Sequence, residues 1–154
     1  VSRAFVKEDD SGGIEPLPDR TISPHPNLVT EEGLAAIEHT LTELQHRQAE
    51  ALSAKDLVEQ GAIGRELRYW NARRSNAQVI KTPRSPSEVV FGATVTIKRD
   101  DGRRQTWRIV GEDEADPAHG TLSYVSPVAR ALMGKQVGDM VLAGNSDAEI
   151  VDIS

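Results

Sequence analysis

A chain of 154 residues allows one medium domain or two small ones, and 38% hydrophobic, 27% charged and 4% aromatic residues are enough to fold but lean for one large core. A net charge of -6 argues against general nucleic-acid affinity through a basic surface, and the absence of cysteine excludes a disulfide framework and thiolate chemistry. No apolar run reaches membrane-spanning length and the N-terminus lacks a signal-peptide core, so the chain reads as a soluble, cytoplasmic protein with no membrane partner.

Residues 1–29 read as a flexible tail, because Asp9, Asp10, Gly12, Gly13, Pro16, Pro18, Pro24 and Pro26 leave little room for regular structure. Residues 30–80 read as a helical hairpin. Thr30 is placed to cap the first arm, with Glu31 and Glu32 favourable against the helix dipole. Leu34, Ile37, Leu41 and Leu44 form a narrow stripe, continued by Leu52. A second stripe follows at Ile63, Leu67 and Trp70. A narrow stripe cannot bury itself on a lone helix, so the arms bury each other. Pairing Leu34 with the region of Gln78 puts the fold-back near Asp56. Ser53 followed by Asp56 resembles a capping box opening the second arm, while Gly61 and Gly64 leave a later turn open.

Lys81-Thr82-Pro83-Arg84-Ser85-Pro86-Ser87 reads as a linker, residues 81–87, because two prolines stop helix propagation. Residues 88–154 then change to a period of two. Val89, Phe91, Ala93, Val95 and Ile97 mark one face of a strand, and Asp100-Asp101-Gly102 is a hairpin turn into a return strand at Gln105 to Val110. The acidic run Glu112 to Asp116 reads as a solvated loop. Thr121 to Val125 reads as a strand, and Ser126-Pro127 opens a short helix, Val128 to Met133, stopped by Gly134. Met140 to Ala143 and Ala148 to Ile153 are the last strands. The fold class is α+β: an N-terminal antiparallel helical hairpin, then a twisted antiparallel sheet carrying one short helix.

Two groups of residues suggest chemistry. Asp56 and Glu59 lie three apart and offer two hard oxygen ligands to a magnesium ion whose remaining ligands come from elsewhere; the competing reading is an ordinary acidic helix N-terminus. Arg65, Arg68 and Arg73, with Arg74, give the second arm a basic face beside Tyr69 and Trp70, suited to RNA or to a channel wall; the competing reading is a solvated face paired with glutamates of the first arm. The four histidines are scattered, and no nucleophile–base signature is visible.

Leu28-Val29-Thr30-Glu31-Glu32-Gly33, Ser75 to Ile80, Phe91 to Ile97, Arg108 to Asp116 and Ser126 to Leu132 together resemble the bacterial transcript-cleavage factors of the GreA/GreB family, over about residues 28–154. The resemblance implies an FKBP-like C-terminal domain that docks on RNA polymerase through Val125, Ser126, Pro127, Val128 and Arg130. It also implies a coiled coil entering the secondary channel toward the 3′ end of nascent RNA, and a tip at Asp56 and Glu59 sharing Mg2+ with the polymerase. The factor it implies is not itself an enzyme and has no cofactor of its own. The tip departs from the family pattern: Gln60 stands where the family has asparagine, and the later acid and aromatic are missing. Both arms are shorter than the family's by about two turns, or about 11 Å. The resemblance therefore implies either stimulated cleavage of backtracked RNA or, as in Rnk-type relatives, polymerase binding and competition without cleavage. A protein-binding module or metabolic-enzyme regulator reusing the fold is the alternative from another class.

Overall fold

The computed structural model describes residues 15–154. A short strand β1 (Asn27–Val29) leads into helix α1 (Glu31–Ser53), which folds back through three residues into α2 (Leu57–Asn76) and strand β2 (Ala77–Val79). Residues 80–93 form no regular element. The C-terminal part comprises β3 (Thr94–Arg99), β4 (Arg104–Val110), a single 3-10 turn at Pro117–His119, β5 (Thr121–Ser123), α3 (Pro127–Leu132), β6 (Met140–Ala143) and β7 (Ser146–Ile153).

Helix α1 begins where its sequence says it should. The Thr30 hydroxyl accepts the Gly33 amide at 3.0 Å, and Glu31 and Glu32 occupy the first turn. The Glu32 carboxyl sits below its ordinary pKa because of its own backbone N–H, and then because of Arg108. The seam is built from Ile37, Leu41, Leu44 and Ala51 against Ile63, with Leu34, Leu67 and Trp70 packed beside them. Ala51, not Leu52, continues the stripe. Leu52 points outward and is 57% exposed, because a three–four alternation from Leu44 lands on residues 48 and 51.

Five strands form the sheet of the C-terminal part in the order β5-β4-β3-β7-β6. The β3–β4 hairpin turns at Asp101-Gly102, and β6 and β7 join through Gly144-Asn145, with Gly144 at φ 73° as a two-residue turn requires. Val95, Ile97, Ile109, Leu122, Ala129, Leu132, Val141 and Ile150 close the core between sheet and α3. The sheet departs from the expected all-antiparallel form at β5, which pairs parallel to β4. A parallel neighbour needs a crossing connection, and residues 111–120 supply it. The first strand is also shorter than expected. Val89, Phe91 and Ala93 are buried, but β3 starts only at Thr94, after a turn at Gly92 with φ 84°.

The crossing loop joins the two halves of the molecule, so the expectation of a solvated acidic loop is corrected. Arg73 of α2 is buried, and its Nε donates to Asp113 at 2.5 Å while its Nη2 donates to Asn27 Oδ1 at 2.7 Å. The Asn27 amide in turn donates to the Arg73 carbonyl at 2.7 Å. Tyr69 Oη donates to the other Asp113 oxygen. Next along the loop, Glu114 accepts the Thr30 and Gly111 amides at 3.1 Å each and the Thr30 hydroxyl. A guanidinium this deeply enclosed needs a carboxylate partner, because an unpaired buried charge costs several kcal/mol.

The tail expectation is corrected as well. Residues 1–14 lie outside the described residues, but residues 18–29 are engaged with the rest of the chain. Asn27, Leu28 and Val29 pair with Ala77, Gln78 and Val79 as a parallel two-stranded ribbon. Arg20 pairs with Glu66 at 2.7 Å, and Tyr124 Oη donates to the Pro26 carbonyl. Proline and glycine forbid helix and central strand, yet they do not forbid an extended strip held by side chains from its neighbours.

The Glu114 carboxylate lies over Gly33, where a Cβ would stand 2.1 Å from Cδ of Glu114. Gly33→Ala, a change that favours an isolated helix by about 1 kcal/mol, is expected to destabilise this protein by about 2 kcal/mol through displacement of Glu114; urea unfolding with an unchanged slope measures it. Burial, and then the Asp113 carboxylate, pushes the Tyr69 phenol up from 10.0 to about 12. The folded phenol therefore keeps its proton after the unfolded one has lost it. Its stabilisation is full below pH 10 and is lost as pH rises from 10 through about 12. Tyr69→Phe is expected to show a shallower alkaline decline in that window in a pH series of unfolding midpoints.

Candidate functional site

The hairpin tip is made by residues 54–56. The Ala54 amide donates to Glu50 O at 2.9 Å, Lys55 to Leu52 O at 3.2 Å and Asp56 to Ala51 O at 3.0 Å, which satisfies the last carbonyls of α1. Lys55 takes a left-handed conformation, φ 54°, that glycine would adopt freely and a side chain resists by about 1–2 kcal/mol. Asp56 itself, rather than Ser53, caps α2: its Oδ1 accepts the Glu59 amide at 3.0 Å. Ser53 is the last residue of α1, so the capping pair is Asp56 with Glu59, three residues on. Gly61 and Gly64 lie inside α2, and the chain turns before both.

The two tip carboxylates therefore share one turn, as the sequence spacing implies, but neither is wholly free. Asp56 spends one oxygen on the cap, and one oxygen of Glu59 meets Arg47 of α1 in an exposed ion pair at 2.5 Å. Each keeps a second oxygen. Around them Leu52, Leu57 and Val58 are 57%, 68% and 62% exposed, so the acids stand in an apolar crown. No three His, Cys, Asp or Glu side chains converge into a metal-binding group among the described residues. Two hard oxygens on an exposed tip fit a cation only as added ligands to an ion held from elsewhere.

The candidate docking segment lies at the other end of the molecule. The Ser126 hydroxyl accepts the Ala129 amide at 3.4 Å and opens α3, with Pro127 at its first position. Pro127 and Arg130 are exposed, Val125, Ser126 and Val128 are half-buried, and Ala129 and Leu132 anchor the helix to the sheet. One turn thus presents a proline, two valine edges and a guanidinium on a rigid base. The β5 strand ends at Ser123, so Val125 belongs to this turn and not to a strand.

The arginine face is divided. Arg73 is buried against Asp113 and cannot meet RNA or a channel wall in this conformation. Arg65 and Arg68 remain on the outside of α2, but residues of the N-terminal strip already engage them. Arg65 Nε donates to the Pro18 carbonyl at 2.6 Å and Arg68 Nε to Asp19 at 2.7 Å. The roles of Arg47, Asp113 and Glu114 escaped the sequence reading. Arg47 carries no local signal, because its partner Glu59 stands 12 residues away across the bend. No helix among the described residues is long and apolar enough to cross a membrane.

Residues 84–154 match the family described as transcription elongation factor GreA/GreB, C-terminal part. The transcription elongation factor GreA of Thioalkalivibrio sulfidiphilus is 43% identical over 102 residues, which span 62% of this chain and 65% of that protein. The GreA of Methylobacterium nodulans is 40% identical over 153 residues, spanning 82% of this chain and 95% of that protein. Among solved structures, GreA factor homolog 1 of Thermus thermophilus is 19% identical with a TM-score of 0.42, covering 84% of this chain and 99% of the other. A C-terminal family match on the sheet domain, and a relative matched at 40% identity over 95% of its length, agree with the helical hairpin in front of that sheet: this chain belongs to the GreA/GreB family of transcription elongation factors.

Proposed function

We propose that this protein binds RNA polymerase and modulates elongation from the secondary channel, without being a nuclease itself. The observation that carries the reading is the coincidence of bend and acid. The hairpin reverses at residues 54–56, and the same turn presents Asp56 and Glu59. In this reading Val125 to Arg130 docks on the polymerase while α1 and α2 project the tip about 35 Å from the joint. Magnesium, held by the polymerase, would supply water activation for cleavage of backtracked RNA, and Asp56 and Glu59 are the residues that would add oxygens to it.

This chain's own residues set the conditions. Asp56 is oriented by its capping bond, and Glu59 by Arg47. The Arg47 guanidinium holds one oxygen of Glu59 and draws charge from the carboxylate, so it weakens donation from the second oxygen without blocking it. Leu52, Leu57 and Val58 face whatever wall surrounds the tip, and apolar surface there favours a protein lining over bulk water. The Arg47 pair, together with the shorter arms, favours a second reading in which the protein occupies the channel and competes with longer factors without cleavage.

Asp56→Asn keeps a good N-cap and removes the charge, and its stability is expected to stay within about 0.5 kcal/mol of the parent. In a cleavage assay on backtracked complexes, Asp56→Asn and Glu59→Gln are expected to fall to the level of polymerase alone. Cleavage unchanged in the double variant removes the donor role. No cleavage by the parent, with displacement of a longer factor, selects the occupying role. No association with core polymerase removes both. Arg47→Ala is expected to raise parental cleavage by no more than about fivefold, the equivalent of about 1 kcal/mol for an exposed pair.

A further inference from the structure

A lever acts only if its direction is fixed. The contacts of Arg73, Asp113 and Glu114 lie in the first turn of α1 and the last two turns of α2, reaching no farther up the hairpin than Tyr69. A swing of about 10° there carries a tip about 35 Å away through about 6 Å, well beyond a metal–oxygen bond of about 2.1 Å. Something farther up the arm must resist that swing if the tip is to be aimed.

Residues 18–27 are attached at two places. On the lever, Arg65 and Arg68 hold Pro18 and Asp19, and Arg20 pairs with Glu66 at 2.7 Å. The Arg20 guanidinium also lies 3.7 Å from the centre of the Tyr69 ring. On the sheet domain, Ser23 Oγ donates to Glu112 at 3.0 Å and the Pro26 carbonyl accepts from Tyr124 Oη. Glu66 lies seven residues before Arg73, so the upper anchor stands about 10 Å beyond that contact and just under one turn beyond Tyr69. Ser23 meets the loop at the joint itself, while Tyr124 holds Pro26 from outside that loop, so the strip ties Tyr124 of the sheet domain to Glu66 of the lever, with Pro18, Pro24 and Pro26 stiffening it.

We propose that residues 18–27 are a strut that sets the angle between hairpin and sheet domain, with Arg20 as the positioning residue that holds its upper end. Its effect on the tip at the polymerase rests on the function proposed above; the angle itself does not. The strip also engages Arg65 and Arg68 through Pro18 and Asp19, although the Arg68 side chain stays exposed.

The 154-residue chain has no cysteine, so it can carry spin labels at Ala54→Cys on the tip and Asn145→Cys on the β6–β7 turn alone. Pulsed dipolar spectroscopy is expected to read one narrow distance in the parent. Arg20→Glu, which faces Glu66 with a like charge, is expected to broaden and shift that distribution. Adding Glu66→Arg, which restores the pair with its charges exchanged, is expected to bring the narrow distance back. An unchanged distribution in Arg20→Glu, or a broad one that the exchanged pair does not narrow, overturns the strut. In the cleavage or competition assay, activity is expected to follow the width of the distribution across the three proteins at constant affinity for core polymerase. A distance that responds while polymerase never binds leaves the strut standing and removes the polymerase reading; polymerase activity with an unresponsive distance does the reverse.

Discussion

One buried guanidinium ties the two halves of this molecule together. Arg73 sits near the end of α2, almost without solvent, and a charge in that position has to be answered. Asp113 answers it from the crossing loop of the sheet domain, with Asn27 from the N-terminal strip and Glu112 3.8 Å away. The same loop sends Glu114 to the N-cap of α1. Both arms of the hairpin are thus fastened at their bases to one stretch of loop. The parallel pairing of β5 follows, because residues 111–120 must travel past the hairpin before the chain returns to the sheet.

The elements that could be read from sequence are those whose signals are local. The α1 stripe, the Thr30 and Ser126 caps, the Asp101-Gly102 turn and the place of the bend each depend on residues a few positions apart. The bend was legible because pairing Leu34 with the region of Gln78 centres the two stripes near Asp56, although the cap there is Asp56 on the Glu59 amide and not Ser53. Leu52 was misplaced because a stripe drawn from leucines alone ignores Ala51, which is small enough for the narrow end of the seam. The acidic loop was misread because its partners, Arg73, Thr30 and Tyr69, are 40 or more residues away in sequence, and composition alone makes four acids in five residues look solvated. The strip from residue 18 was misread for the same reason: its order comes from Glu66, Tyr69 and Tyr124 and not from itself.

Family membership and site chemistry stand at different distances from these facts. The sheet domain and the hairpin carry the GreA/GreB likeness together. The tip keeps the acidic pair in one turn but sets Arg47 against Glu59 and a lysine at the strained corner. A tip of this kind presents one capping carboxylate, one neutralised carboxylate and three exposed apolar side chains. In the role proposed for it, the tip depends on the aim of the hairpin, which the joint at Arg73 helps to set, and on the hold of Arg47 over Glu59.

The joint is measured most directly by a double-mutant cycle between Arg73→Met and Asp113→Leu in equilibrium unfolding. Each single change leaves an unmatched buried charge and should cost about 3–5 kcal/mol, while the double variant, with an apolar pair in place of the ionic one, should recover most of that loss. Single-variant costs below about 1 kcal/mol, or costs that simply add in the double variant, would mean that the two halves are not held together by this pair.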